Sequence, residues 1–228
     1  VELMAAEPLV VDPVAIDFGY DGSLWVVEMR NYAQEVNDEF EQTGSVTRLQ
    51  DLDGDGKLDE STIFHSGLRF PTDVKVWGKG VIVCDAPDVI YLEDTDGDGK
   101  ADLRKVLLSG FETHNAQARV NSLQWGLDNW IYGSCGLFGG TIRSFNGLTF
   151  ELGNRDFRFK PQTGEIEAVT GRTQQSRVRD DWNNWFGCDN GTLCKPYPLD
   201  DHYLGRNPFV ISPPPELSIL DGPHPAPY

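Results

Sequence analysis

Ile16-Asp-Phe-Gly-Tyr-Asp-Gly-Ser-Leu-Trp-Val-Val-Glu28 has the pattern of a strand, a tight turn and a second strand. The Asp-Gly pair at its centre tolerates the positive φ angles that short hairpin turns require. The apolar run after the turn, Leu24-Trp-Val-Val27, indicates a strand that is buried on both faces. Three later segments share the pattern: Val74–Asp85, Leu123–Gly133 and Val178–Cys188.

These hairpins recur at a regular spacing. When Trp25, Ile82, Trp130 and Trp185 are aligned, successive hairpins are 57, 48 and 55 residues apart. This spacing is close to the blade length of a β-propeller, which is ~40–50 residues. No long segment keeps an apolar stripe at helical spacing between capping signals. The sequence therefore predicts an all-β fold, a β-propeller with about four blades.

The end of the chain differs in composition from the blades. Residues 211–228 are rich in proline and contain no strand pattern. We therefore expect blades in residues 1–210 and a linker, or the start of a further blade, in residues 211–228. Because no strand in this last segment returns to close a ring, the blades are expected to be a fragment of a six-bladed or larger propeller.

Two acidic loops repeat with the blades. Asp51–Asp59 and Asp94–Asp102 share the pattern Asp-x-Asp-Gly-Asp-Gly-Lys-x-Asp, and the segments on either side of them also match at a constant offset of 43 residues. A third copy, Asp156–Gly171, has a plain Gln-Thr-Gly turn in place of the loop. We therefore expect the loops at outer hairpins of two blades, in a position where the fold does not require them.

The acidic loops have the chemistry of a structural calcium site. Carboxylates at positions 1, 3, 5 and 9 can point at one hard cation, while the glycines allow the sharp turn. Position 12, where an EF-hand places a bidentate Glu, is Thr62 or Lys105, which argues against a helix-loop-helix sensor. Magnesium is less suited because it holds its water tightly. The other interpretation is a pair of polar turns without a cation. The expected ligands of the two calcium sites are Asp51, Asp53, Asp55, Asp59, Asp94, Asp96, Asp98 and Asp102.

Composition narrows the choice of partners. The chain has 19 Lys and Arg against 36 Asp and Glu, and its formal net charge of −17 repels phosphate backbones and anionic lipid. Nucleic acid is therefore disfavoured, and no stretch approaches the ~18 apolar residues of a membrane-spanning helix. The four cysteines form no haem-attachment or zinc pattern, so we expect small buried residues or at most one disulfide. They are Cys84, Cys135, Cys188 and Cys194.

The links between blades are the expected ligand site, because in a propeller they gather at the mouth of the central channel. Four residues after the glycine that begins each link stand Pro71, His114 and Gln175. Only His114 exchanges a proton near neutral pH, so it is the candidate general base. The other interpretation of His114 is an ordinary hydrogen-bonding loop residue. Nearby arginines suited to an anionic cofactor or substrate are Arg119, Arg172, Arg177 and Arg179.

Several stretches of the chain resemble one protein family. They resemble the propeller domain of large secreted proteins of planctomycetes and their relatives, a group of membrane-bound dehydrogenases with a haem-binding C-terminal part. That family is similar in turn to the soluble quinoprotein glucose dehydrogenases, six-bladed propellers that bind pyrroloquinoline quinone and oxidise sugars. The stretches are Ala5–Ile16, Leu24–Arg30, the two acidic loops, Arg119–Gly133 and Arg177–Asn190.

The resemblance implies a catalytic residue. In the quinoproteins a His-Asn pair begins the motif of an equivalent link, and His114-Asn115 matches it. This implies that His114 takes the proton from a sugar hydroxyl while hydride passes to the quinone. The chain departs from the quinoprotein pattern at Thr113, where the family has Asp, and at residues 116–118, where it has glycines.

The resemblance also implies where a cofactor would be bound. The expected contacts are Asn115 and Arg119 in one link and Gln174 or Gln175 in the later link. The leading hypothesis is a periplasmic or extracellular calcium-binding propeller of a sugar or alcohol dehydrogenase that uses pyrroloquinoline quinone. Further domains of the same chain, including a c-type haem domain, are its expected partners. The alternative is a non-catalytic propeller that binds carbohydrate or protein. A lactonase-type hydrolase is disfavoured, because its calcium lies in the central channel.

Overall fold

The described part of the chain is built from β-strands. The computed structural model describes residues 1–30, 32, 42–200, 203, 206, 207, 209, 211 and 214–219. Apart from helical geometry at Tyr203, the regular structure of these residues is strand. Within the same residues no helix has the length and apolar character needed to cross a membrane. The chain divides into two compact units, Val1–Leu107 and Leu108–Tyr228.

The strands are numbered along the chain. They are β1 (Pro13–Phe18), β2 (Leu24–Glu28), β3 (Gly44–Gln50), β4 (Glu60–Leu68), β5 (Pro71–Trp77), β6 (Gly80–Asp85), β7 (Asp88–Glu93), β8 (Leu103–Phe111), β9 (Asn121–Trp125), β10 (Ile131–Ser134), β11 (Gly140–Ser144), β12 (Thr149–Gly153), β13 (Asp156–Phe159), β14 (Ile166–Val169), β15 (Gln175–Arg179), β16 (Trp185–Asp189) and β17 (Thr192–Tyr197).

The first unit contains blades 1 and 2, each an antiparallel meander. Blade 1 has the strand order β1-β2-β3-β4, and blade 2 has the order β5-β6-β7-β8, with the end of β8 beyond the unit boundary. The inner hairpins turn at Gly22 and Gly78, which have φ angles of 82° and 61°. Both lie in the left-handed region that glycine adopts without strain, as the turn sequences predict.

The core of the first unit forms where β5 packs against blade 1. Val74 and Val76 of β5 share a cluster with Trp25 and Val27 of β2. The Trp25 ring meets that of Phe64 edge to face, with centroids 4.7 Å apart. All of β6 is buried, which confirms the prediction that its apolar run is covered on both faces.

The second unit contains blades 3 and 4. Blade 3 has the strand order β9-β10-β13-β14, and β15, β16 and β17 form blade 4. Their inner hairpins turn at Asn129 and Asn183, with φ angles of 63° and 66°. Asparagine is one of the few non-glycine residues that enter this region readily, so these turns also follow from the sequence.

A hairpin inserted into blade 3 was not predicted. Strands β11 and β12 lie between β10 and β13 along the chain, and β11 pairs with the last residues of β8. Gly139 stands at the entry to this hairpin with φ of 66°, and a Cβ there would overlap the carbonyl oxygen of Gly153. The described strands end at Tyr197, and most of residues 211–228 lie outside the described residues. The assignment of that segment as a linker therefore stays a prediction.

Candidate functional site

The two acidic loops share one backbone conformation. In the first loop the carboxylate of Asp51 accepts hydrogen bonds from the N–H groups of Gly54 at 2.7 Å and Gly56 at 2.9 Å. The second loop repeats both bonds around Asp94, at 2.6 and 2.8 Å. The glycines involved have φ angles between 79° and 88°. The chain therefore winds round the first aspartate in each loop, which requires glycine at positions 4 and 6.

Three carboxylates converge in each loop. One oxygen from each lies within 4.8 Å of the others, a separation that suits a cation with ligand oxygens ~2.3–2.6 Å away. The two clusters are Asp51 with Asp53 and Asp59, and Asp94 with Asp96 and Asp98. The structure thus brings together six of the eight predicted ligands. Asp55 and Asp102 are the two that stand outside the clusters.

Both outlying carboxylates have partners inside their own loops. Asp102 accepts hydrogen bonds from the Thr95 hydroxyl at 2.7 Å and the Thr95 N–H at 3.0 Å, and these bonds lower the pKa of Asp102. Asp55 accepts a hydrogen bond from the N–H of Lys57 at 2.8 Å. The equivalent residues Asp59 and Asp98 accept similar backbone bonds and are nevertheless the third members of the two clusters, so the loops differ in this residue while they keep the same turn.

The eighth residue of each loop contacts the element that precedes it. The N–H of Leu58 donates to the carbonyl oxygen of Met4 at 3.2 Å, and the N–H of Ala101 donates to the carbonyl oxygen of Phe64 at 2.8 Å. Leu58 is also buried in a cluster with Val26. Each acidic loop thus lies between the third and fourth strands of its blade and is tied to the chain before that blade, at the predicted outer hairpin.

His114 lies on the link between β8 and β9. Its side chain is exposed, and its Nδ1 is 3.3 Å from Oε2 of Glu112. Its ring meets the ring of Phe138 edge to face, with centroids 4.3 Å apart. The backbone N–H of Glu112 donates to the carbonyl oxygen of Gly139, which ties this link to the inserted hairpin. Neither Glu112 nor Phe138 was predicted: Phe138 is brought to His114 by the fold, whereas Glu112 stands only two residues before His114 in the sequence and was passed over.

Arg119 supports the link that carries His114. Its buried guanidinium donates to the carbonyl oxygens of Thr113 at 2.9 Å and Asn115 at 3.3 Å. The side chain of Asn115 accepts a hydrogen bond from the N–H of Gln117 at 2.8 Å and closes a turn. Arg119 therefore holds the backbone of this link in place. Its contact with a bound anion stays a prediction.

The later link approaches the first one through its glutamines. Gln174 and Gln175 each donate a side-chain hydrogen bond to the carbonyl oxygen of Gln117, at 3.4 Å. Gln174 is buried and also accepts a hydrogen bond from the N–H of Asn190. Asn121 donates to the carbonyl oxygens of both Arg119 and Gln174. The structure therefore brings together the two links that the sequence analysis singled out.

The remaining arginines have different environments. Arg172 is exposed and donates to the carbonyl oxygen of Leu137, next to Phe138. Arg177 is 2% exposed and forms an ion pair of 2.6 Å with the fully buried Asp156. Three aromatic rings surround its guanidinium, with centroids 5.0–5.6 Å away, and they belong to Tyr132, Trp185 and Tyr197. Arg177 is therefore a core residue, whereas Arg172 is exposed and bonded to Leu137, the residue before the Phe138 that His114 contacts.

Buried acids hold the links in place. Asp85, at the end of β6, accepts hydrogen bonds from the N–H groups of Arg69 and Phe70 at 3.0 and 2.8 Å. Burial nevertheless raises the pKa of Asp85. Asp156 accepts the N–H of Thr173 at 3.0 Å and its hydroxyl at 2.5 Å. Neither role could be predicted from the sequence, because a single Asp at a strand end is common.

A family match covers nearly the whole chain. The family described as Domain of unknown function (DUF7133) matches residues 1–226. The chain belongs to this family. No curated protein matches the chain.

Solved structures identify the fold of this DUF7133 chain. It is similar to the holo form of the pyranose dehydrogenase PQQ domain from Coprinopsis cinerea, with a TM-score of 0.50 and 14% identity over 80% of this chain and 46% of that one. It also matches the catalytically inactive virginiamycin B lyase from Staphylococcus aureus solved with quinupristin, with a TM-score of 0.45 and 14% identity over 84% and 54% of the two chains. The chain spans about half the length of these structures. At 14% identity the likeness to the PQQ domain shows the fold alone, and the all-β propeller prediction is confirmed.

Proposed function

We propose that this propeller contributes the catalytic base of a quinone-dependent sugar or alcohol dehydrogenase. The observation that carries the proposal is the environment of His114, which has a carboxylate at Nδ1 and an aromatic ring at its edge. A histidine oriented by an acid on one nitrogen presents the other nitrogen for proton transfer. The likeness to a PQQ domain supports the proposal only through the fold that the two proteins share.

The residues around His114 fit a planar, polyanionic cofactor. Pyrroloquinoline quinone is a flat ring system with several carboxylates, and it would supply the hydride acceptor. Arg172 and Gln175 are exposed and have N–H groups suited to carboxylates. Phe138 adds an aromatic surface beside His114. We include Asn115, Gln174 and Arg119 as residues whose hydrogen bonds to the backbone support this site.

The direction of proton transfer follows from the geometry of the His114–Glu112 pair. Because Nδ1 of His114 faces the Glu112 carboxylate, the tautomer with the hydrogen on Nδ1 is favoured. Nε2 is then free to accept the proton of a substrate hydroxyl. Glu112 stabilises the imidazolium that forms, and Arg119 keeps the link fixed through its bonds to two carbonyl oxygens.

The proposal is tested by dye-linked oxidation. The full-length protein is titrated with pyrroloquinoline quinone in calcium buffer, and dye reduction is followed with a panel of sugars and alcohols. We expect quinone binding and turnover, with His114→Ala lowering kcat ~10²–10⁴-fold while the quinone still binds. Glu112→Gln should lower kcat by about tenfold. The matched control is Glu151→Gln, because Glu151 is an exposed acid on β12 that bonds to Thr141.

Two outcomes would reject the catalytic proposal. One is the absence of quinone binding at concentrations well above those used for turnover. The other is turnover that is indifferent to His114→Ala.

We also propose that each acidic loop binds one calcium ion with a structural role. The support is the convergence of three carboxylates in each loop and the contact of each loop with the preceding segment or strand. Calcium would neutralise mutual repulsion between the carboxylates and fix the turn. Calorimetry should show two sites, which Asp53→Ala combined with Asp96→Ala removes. If calcium gave no binding heat with the parent protein, this role would be rejected.

The second candidate function is a non-catalytic module that binds carbohydrate. It is favoured by Trp182, which is 82% exposed at the turn between β15 and β16. An exposed indole can stack on a sugar face. Binding of oligosaccharides is followed by tryptophan fluorescence, and Trp182→Ala should abolish the change. Oligosaccharide binding without quinone binding would select this function.

The proposal for the whole protein extends beyond this chain. It places the propeller in the periplasm or outside the cell, with further blades and a haem-binding domain in the same polypeptide. The relation to the planctomycete dehydrogenase group is part of the same proposal. Its test is the sequence of the complete protein, in which Cys-x-x-Cys-His would support the haem domain.

A further inference from the structure

Cys188 and Cys194 stand on neighbouring strands of blade 4. Strands β16 and β17 are antiparallel and pair Trp185 with Tyr197, then Phe186 with Pro196, then Gly187 with Lys195. Cys188 follows Gly187 and Cys194 precedes Lys195, so the two cysteines lie one step beyond this last pair. A bulge follows at once, so that Cys188 faces both Leu193 and Cys194.

The register brings the two cysteines close enough for a disulfide to be considered. Residues opposite one another on antiparallel strands project from the same face, with Cα atoms ~4.5–5.5 Å apart. Disulfides span Cα distances of ~4.4–6.8 Å. Both side chains are partly accessible, whereas Cys84 and Cys135 are buried. An oxidant in solution can therefore reach this pair before it reaches the other two cysteines.

The pair is also joined to the link that carries the glutamines. On the other side of β16, Cys188 pairs with Gln175 of β15, and its thiol donates to the Gln175 carbonyl oxygen at 3.1 Å. The carbonyl oxygen of Cys188 accepts the N–H of Gln174 at 2.9 Å. A change at the Cys188 sulfur therefore acts directly on the backbone of this link.

We propose that Cys188 and Cys194 form a reversible cross-strand redox pair that controls the order of the 172–176 link. The oxidant is a small disulfide such as oxidised glutathione. One cysteine thiolate attacks the glutathione disulfide, forms a mixed disulfide and releases one glutathione thiolate. The second cysteine thiolate then attacks the first cysteine sulfur and releases the second glutathione. Two electrons pass to glutathione, and the two cysteine protons end on the released thiols.

Closure of the disulfide has two consequences. It removes the S–H donor from the Gln175 carbonyl oxygen, so the 172–176 link loses one hydrogen bond. It also closes a short loop across β16 and β17, which stabilises the hairpin. Burial, and then the acid Asp189 and the neighbouring Cys194, raise the pKa of Cys188, so oxidation should be faster in alkaline than in neutral buffer.

The experiment maps the cysteines after oxidation of the native protein. The folded chain is incubated with oxidised glutathione, unfolded in an alkylating agent and digested with trypsin. Lys195 precedes a proline, so both cysteines fall within one tryptic peptide, residues 180–206. We expect this peptide to be unalkylated and lighter by two hydrogens, while Cys84 and Cys135 are fully alkylated. A thiol reductant should restore alkylation.

Matched variants make the result decisive. Cys188→Ser and Cys194→Ser should each give only a glutathione adduct at the remaining cysteine. In the parent protein, oxidation should raise Tm by about 3 °C and increase hydrogen exchange in residues 172–176 severalfold. Stable adducts at both cysteines, or full alkylation of both, would overturn the redox pair. Unchanged exchange at the link would overturn its control of that link.

Discussion

The carboxylates beneath the inter-blade links and those in the outer hairpins are held in opposite ways. Asp85 and Asp156 are buried, and backbone N–H groups or an arginine satisfy their oxygens. The clustered acids of the outer hairpins are at most partly buried, and their oxygens approach one another within 4.8 Å. Among the described residues, no Lys or Arg forms an ion pair with the clustered acids Asp51, Asp53 and Asp59.

From this difference we infer where the fold would depend on something outside the polypeptide. At the links the protein supplies its own positive partners, so these contacts are present whatever the solution contains. At the outer hairpins three carboxylates converge without an ion-pair partner among the described residues, so we expect stability there to depend on a cation. Blade 3 shows that an outer hairpin folds without such acids, because its Lys160 pairs with Glu165 across the turn at 2.8 Å.

The largest expected effect comes from removing a buried acid. Asp156→Ala leaves Arg177 buried without its ion pair, and we expect a loss of ~3–5 kcal/mol of unfolding free energy. Denaturant unfolding with and without calcium measures it, and the loss should be the same in both buffers. Asp181→Ala, at an exposed acid, is the control and should change stability little. If the loss of unfolding free energy appeared only in calcium buffer, the buried acids at the links would not differ from the clustered acids of the outer hairpins.

Calcium removal should have the next largest effect, counted for each site separately. If calcium is present at ~100 times its Kd, each site stabilises the fold by ~2.7 kcal/mol. A chelator should therefore lower Tm of the parent protein by several degrees, as seen by calorimetry or circular dichroism. The double variant Asp53→Ala with Asp96→Ala should start at the lower Tm and ignore the chelator. An equal response in parent and variant would place the cation elsewhere.

A smaller effect should separate the two loops from each other. Asp53→Ala should loosen the N-terminal segment, because Leu58 is bonded to Met4, whereas Asp96→Ala should loosen β4, because Ala101 is bonded to Phe64. Hydrogen exchange of peptides covering residues 4–10 and 60–68 reports each site, with increases of about tenfold expected. Each variant serves as the control for the other. Identical patterns would show that the loops act as one unit.

The smallest effect concerns an exposed acid that has protein partners. The Ser23 hydroxyl, followed by other contacts that include Arg48, lowers the pKa of Asp21 from 3.8 to about 2. Since the folded pKa is the lower one, the stabilisation is present above pH ~4 and is lost as the pH falls towards 2. Asp21→Asn should cost less than ~1 kcal/mol, because the pair is exposed. Unfolding curves from pH 5 to pH 2 should show the parent and variant converging, and a gap that widens at low pH would contradict this.

Much of the fold could be read from local sequence. The inner hairpins followed from turn residues such as Gly22 and Asn129, whose φ angles are fixed by local sterics. The burial of strand β6 followed from its apolar run, which is too long and continuous to be exposed. The inserted hairpin β11–β12 was missed, because β11 pairs with β8 and not with a strand of blade 3. Pairing of that kind is decided by tertiary contacts.

The candidate site was only partly predictable for the same reason. His114 could be selected because it is a titratable residue at a repeated position, and the glutamines because they occupy the matching link. Phe138 approaches His114 only in the folded chain, whereas Glu112 is a near neighbour in sequence whose side-chain direction the sequence does not reveal. Arg119 and Arg177 look alike in the sequence as cations near a link. Burial gives them structural roles that composition does not reveal.

The hydrogen bonds from Leu58 and Ala101 also give the first unit a direction of assembly. Each acidic loop completes its contacts only when the segment before its own blade is already in place, since the acceptor belongs to that earlier segment. The earlier segment does not depend on the loop in the same way, because β4 can pair with β3 before the second loop has formed. A chain that emerges from the ribosome N-terminus first can therefore fold one blade before the next. In each step the acidic loop would be the last part to form its contacts.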